Sequence, residues 1–161
     1  MAQEEQYQIP VFLINGQLDS GKTSFISDTI EMGQFEEAKN KLLIVCEEGE
    51  EEYDEKMLKD NGVSMVVLEK EDFTEEKLKE LDKQYDPWVV IVEYNGMWDP
   101  ALIFDTAKPF GWEVYQSITI IDAMTFSNQW ANMKSIMAEM VKNVDMVVFN
   151  RCKSSMDLGS Y

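Results

Sequence analysis

The sequence predicts an α/β fold, a three-layer sandwich in which a mostly parallel sheet of about six strands carries helices on both faces. Three observations predict it. Apolar runs that are nearly continuous, such as Leu42 to Cys46 and Trp88 to Val92, suit strands buried on both faces. Such runs alternate along the chain with segments of helical periodicity. Between the first run and the first helix lies Gly16-Gln17-Leu18-Asp19-Ser20-Gly21-Lys22-Thr23, which fits the phosphate-binding loop G-x-x-x-x-G-K-[ST] at every fixed position.

Each element has its own signal. Ile9 to Ile14 is the first strand, and Thr23 to Met32 the first helix, with Phe25, Ile26 and Ile30 on one side. Leu42 to Cys46 is the second strand. Glu50 to Asn61 reads as an acidic helix that stops near Gly62, and Val63 to Leu68 as the third strand. Thr74 stands where an N-cap belongs, ahead of a helix carrying Leu78, Leu81 and Tyr85 that ends before Pro87. Trp88 to Val92 is the fourth strand. Asp99-Pro100 suits the cap and first turn of a short helix through Phe104, and Val114 to Ile121 is the fifth strand. Trp130, Met133, Met137, Met140 and Val141 then recur at helical spacing, a Met-rich stripe that reads as core packing. Val144 to Phe149 is the sixth strand.

The strand, loop and helix order around Gly16 to Thr23 is the context the phosphate loop requires, and it makes the class that of the P-loop NTPases. Gly16 and Gly21 permit backbone angles and approaches that a Cβ would block, so successive N–H groups can turn toward phosphate oxygens. Asp19, Ser20 and Ser24 belong to the same candidate nucleotide-binding set. Lys22 brings a point charge to the β- and γ-phosphates, and the Thr23 hydroxyl supplies one ligand of a magnesium ion shared with them.

Composition narrows the partners. At 161 residues, 45% apolar and 28% charged, residues 1–161 are expected to form one domain with a sizeable core. Its 31 acidic residues against 14 basic ones give a net charge of −17, with no histidine and a single arginine, Arg151. A surface this negative repels nucleic acid and anionic lipid, so neither is an expected partner. The start Met-Ala-Gln-Glu-Glu-Gln is no export signal, and no apolar run nears the ~20 residues that span a bilayer, which predicts a cytoplasmic protein without membrane insertion. The two cysteines, Cys46 and Cys152, cannot make a four-ligand zinc site alone and read as buried reduced thiols.

Ligands of parallel sheets bind at the carboxyl ends of the strands. Besides the loop, that rule picks out Cys46-Glu47-Glu48, Glu93-Tyr94-Asn95-Gly96, Asp122-Ala123 and Asn150-Arg151-Cys152-Lys153. Glu93 is the most informative. A carboxylate there can hold magnesium, directly or through water, or orient the attacking water, while Gly96 leaves its N–H free to approach a γ-phosphate. Most of the acidic run Glu47 to Glu55 reads as a solvated helix face, although Glu47 is near enough to the strand end to join the metal shell.

Taken together, the loop, Val45-Cys46-Glu47-Glu48-Gly49-Glu50, Glu93-x-x-Gly96 and Ile120-Ile121-Asp122-Ala123 resemble the nucleotide-binding domain of the CobW-like GTPases, grouped with the HypB and UreG metallochaperones. The resemblance covers nearly the whole chain. It implies binding of GTP with Mg2+, slow hydrolysis, and a protein client in a metal-delivery pathway. It gives Gly16, Gly21, Lys22 and Thr23 the phosphate and magnesium roles, and Glu93 and Gly96 the E-x-x-G roles. Glu47 matches the acidic position of the Asn-Glu-Phe-Gly-Glu segment, and Asn150 the first position of the base-reading Asn-Lys-x-Asp.

The sequence also departs from that pattern. Asp19 stands where the family usually has glycine, and the Cys-x-Cys-Cys metal motif is missing, so delivery of a soft metal through that motif is not supported. Lys153 replaces the aspartate that accepts hydrogen bonds from guanine; a lysine only donates, which leaves ATP as an alternative ligand, with Asp157 as the nearby carboxylate that could substitute. The family continues beyond this point, and the expectation is an N-terminal domain of a longer protein. Catalytic GTP hydrolysis, with Lys22 and Glu93 as the catalytic residues, is the leading reading. A nucleotide-binding switch without turnover is the second, and a P-loop kinase the third, disfavoured because such kinases clamp phosphate with several arginines.

Overall fold

The computed structural model describes residues 8–16, 20–46, 52–98, 111–123, 131 and 145–150, the last of these by its backbone. The short helix at Asp99 to Phe104, the Met-rich helix, Asp19, Glu47, Cys152, Lys153 and Asp157 lie outside them. Six strands, β1 (Ile9–Gly16), β2 (Lys41–Val45), β3 (Val63–Val67), β4 (Val89–Glu93), β5 (Trp112–Asp122) and β6 (Met146–Asn150), form one sheet in the order β3-β2-β4-β1-β5-β6. Every pairing is parallel. Three α-helices are described, α1 (Lys22–Glu31), α2 (Glu55–Asp60) and α3 (Glu75–Tyr85). This is the predicted α/β class.

Alternation along the strands divides the core into two layers. Val11, Leu13, Leu42, Ile44, Val90 and Val92 face α3 with its Leu78 and Leu81. Ile14, Leu43, Val45, Ile91, Ile118 and Ile120 face the other way, onto Ile26 and Ile30 of α1 and Met57 and Leu58 of α2. Both faces are apolar because both are covered, which is why these strands read as continuous runs. Each such side chain, removed from water, contributes about 1.5–3 kcal/mol.

The differences from expectation lie at element ends. β1 runs on to Gly16 because Asn15 and Gly16 still pair with Thr119 and Ile120, and β5 begins at Trp112 opposite Ile9. β4 starts at Val89 and includes Glu93, which pairs with both Ile14 and Val45. β6 begins at Met146, and Asp145 just before it joins β5 through both its backbone N–H, which donates to the Ser117 carbonyl at 2.9 Å, and its carboxylate, which accepts from the Ser117 N–H at 2.8 Å. The largest correction concerns α2, which starts at Glu55 rather than Glu50. Asp54 turns its carboxylate back onto the N–H groups of Lys56 (2.9 Å) and Met57 (3.3 Å), an N-cap geometry incompatible with a place inside the helix. Thr74 caps α3 as predicted, accepting from Lys77 N–H at 3.2 Å, and the helix stops at Asp86, just before Pro87. Cys46 is a buried thiol outside any disulfide. Among the described residues, no helix is long and apolar enough to cross a membrane.

Candidate functional site

All six strands being parallel, Gly16, Val45, Glu93, Asp122 and Asn150 end at one edge of the sheet. Gly16 is buried and closely packed. Its φ is +151°, and a Cβ there would stand 2.5 Å from the Ile120 carbonyl oxygen and 2.7 Å from Ser20 Oγ, so only glycine fits where the chain leaves the sheet. Gly21 then adopts φ +102° as the N-cap of α1 and brings no side chain to cap it. The helix begins just beyond it, at the end where its dipole favours an anion.

Lys22 opens α1 and is 4% exposed. Its Nζ donates to the Gly16 carbonyl at 2.8 Å, so the ammonium reaches back to the residue at which β1 ends. Thr23, also buried, points its hydroxyl at the sheet: Oγ1 donates to Oε1 of Glu93 at 2.9 Å. The strand period explains that contact. Glu93 is two residues beyond Ile91 and shares its face, the one packed on α1 and α2, so its carboxylate emerges beneath the first turn of α1.

Glu93 is 3% exposed, and its second oxygen is taken too: the Tyr53 hydroxyl donates to Oε2. Its backbone is equally fixed, since the Glu93 carbonyl accepts from Cys46 N–H at 2.8 Å, and the next residue, Tyr94, donates to the Ile14 carbonyl at 2.8 Å. Beyond it, Asn95 Oδ1 accepts from Met97 N–H at 2.9 Å in a turn that carries the buried Gly96, while Tyr94 packs edge-on against Phe73 and Trp98. The turn after β4 is thus held by an aromatic cluster below and a side-chain acceptor above.

The family model for the CobW/HypB/UreG nucleotide-binding domain matches residues 10–158. The chain belongs to that family. No curated protein matches it with significance. In this CobW/HypB/UreG domain, Gly16, Ser20, Lys22, Thr23 and Glu93 come together through the contacts described above. Ser24 is exposed on α1. Asn150 ends β6 opposite Asp122, two strands from β1 at the same edge. Asp19 and Glu47 lie outside the described residues.

Sequence reasoning missed Tyr53. It sits in the acidic run, where it read as one more position on a solvated helix face, and its partner is 40 residues away. The one local signal was Asp54 beside it: an aspartate suited to capping makes the residue before it the last of a loop, free to turn toward the sheet.

Proposed function

We propose that this domain binds a nucleoside triphosphate with magnesium at the carboxyl edge of β1 and β4 and hydrolyses it, GTP being the leading substrate. The observation that carries the reading is the Thr23–Glu93 hydrogen bond, which sets a hydroxyl and a carboxylate side by side next to Lys22. Family membership supports nucleotide binding independently. The donor set also suits the ion, since magnesium prefers hard oxygen ligands, few of them from protein and the rest from phosphates and water.

In this reading the loop N–H groups and the start of α1 cradle the phosphates, and Lys22 turns its charge from the Gly16 carbonyl toward the β- and γ-oxygens. Thr23 Oγ1 holds the magnesium ion, which when bound draws charge off the transferred phosphoryl group. Glu93 orients water beside it, and Gly96 offers its N–H toward the γ-phosphate. Ser20 and Ser24 complete the loop's contacts, Glu47 joins the metal shell, and Asn150 stands at the base. A cytoplasmic setting and a protein client in metal delivery belong to the same proposal on family grounds.

The test is Glu93→Gln, which keeps the size and removes the charge. Phosphate release is expected to fall by roughly 10- to 100-fold while nucleotide affinity, measured by calorimetry, stays within a few-fold of the parent. Equal turnover in parent and variant would remove Glu93 from the reaction.

Base preference is expected to be weak. A buried acceptor for guanine rejects adenine because it would be left unpaired, an effect of about 1–3 kcal/mol per hydrogen bond, and Lys153 supplies no acceptor. Calorimetric titration should give GTP and ATP affinities within about tenfold, which is about 1.4 kcal/mol. A GTP preference above about a hundredfold that vanishes in Asp157→Ala would show that a longer loop restores the acceptor.

A further inference from the structure

We infer that Tyr53 is a positioning residue for the magnesium and nucleotide site, fixing the carboxylate of Glu93 and tying the segment ahead of α2 to the phosphate loop. The inference rests on the hydrolase reading above. Tyr53 touches none of the reacting groups in that reading; it acts through Glu93.

The geometry carries the argument. Thr23 anchors Oε1 of Glu93, a group whose terminal torsion has broad rather than sharply staggered preferences. The Tyr53 hydroxyl on Oε2 sets the plane of the group. Tyr53 is itself held from two sides. Its ring packs against the apolar layer that contains Met57, Leu58 and Ile91, and the next residue, Asp54, is locked onto the first turn of α2. The phenol is therefore a fixed donor rather than a mobile one, and Glu93 is set by α1 on one oxygen and by the approach to α2 on the other. Groups that orient a metal's carboxylate commonly change metal affinity or activity by 10- to 100-fold when removed.

Tyr53→Phe removes the hydroxyl and leaves the ring in its packing. The probe is a non-hydrolysable β,γ-imido GTP analogue, titrated at increasing MgCl2 against the parent, Tyr53→Phe and Glu93→Gln. The Mg2+ concentration for half-maximal binding is expected to rise about tenfold in Tyr53→Phe, with ligand-free melting temperatures of parent and variant within a few degrees of each other. In steady-state phosphate release at saturating Mg2+, kcat is expected to fall about tenfold with KM for the nucleotide changed less than about twofold. A magnesium requirement that shifts in Glu93→Gln but not in Tyr53→Phe would overturn the role of Tyr53 and leave the site assignment standing. No shift in either variant would overturn both. If the parent releases no phosphate, hydrolysis is refuted and the magnesium titration alone decides the role of Tyr53.

Discussion

Replacing Lys22 by alanine is expected to weaken nucleotide binding at least about 100-fold, which is about 2.7 kcal/mol, with the fold retained. The ammonium is buried and hydrogen-bonded to the carbonyl of Gly16, so it is already held at the end of β1 and has little freedom left to lose when it turns to phosphates. Charge-assisted hydrogen bonds contribute about 1.5–3 kcal/mol each, and the amine has three N–H groups to share among oxygens of two phosphates. Alanine is the strongest helix former, so α1 itself should not suffer. Calorimetry with magnesium and GTP reads the affinity and circular dichroism the fold. Parental affinity in a folded variant would refute the phosphate-loop reading.

Gly16→Ala is expected to destabilise the nucleotide-free protein by about 3 kcal/mol or more. The new Cβ meets the backbone oxygen of Ile120 at 2.5 Å and cannot be relieved by rotating a side chain, and φ +151° is itself unfavourable for alanine. Because Gly16 pairs with Ile120, relief requires β5 to move away from β1. In a domain of this size the loss corresponds to a melting temperature lower by roughly 6–12 °C. A variant melting within about 2 °C of the parent would show that the end of β1 yields more easily than its packing implies.

What could be read from the sequence was whatever local chemistry dictates. The spacing of Gly16, Gly21, Lys22 and Thr23 is set by the phosphate it serves, and runs such as Leu42 to Cys46 declare a strand because both faces are buried. The two capping residues gave opposite results for one reason. Thr74 follows a break in the pattern and was legible, whereas Asp54 sits in a stretch of glutamates with high helix propensity that hides where the helix begins. Strand ends such as Gly16 and Glu93 depend on how far a neighbour continues to pair, and the Tyr53–Glu93 bond on two segments being brought together. Neither is a property of any local window.

The order of the sheet gives the protein a particular history each time it is made. β1 is made before the other five strands of the sheet, yet in the finished sheet it is the strand between β4 and β5, with Val11 paired to both Val90 and Val114. Nothing synthesised in the first third of the chain can flank it. The loop that is to grip phosphate must therefore wait, its strand unpaired at both edges, until β4 and then β5 are delivered, and such long-range parallel pairing is slow to form. During that interval the apolar strand is open to capture by chaperones or by other nascent chains.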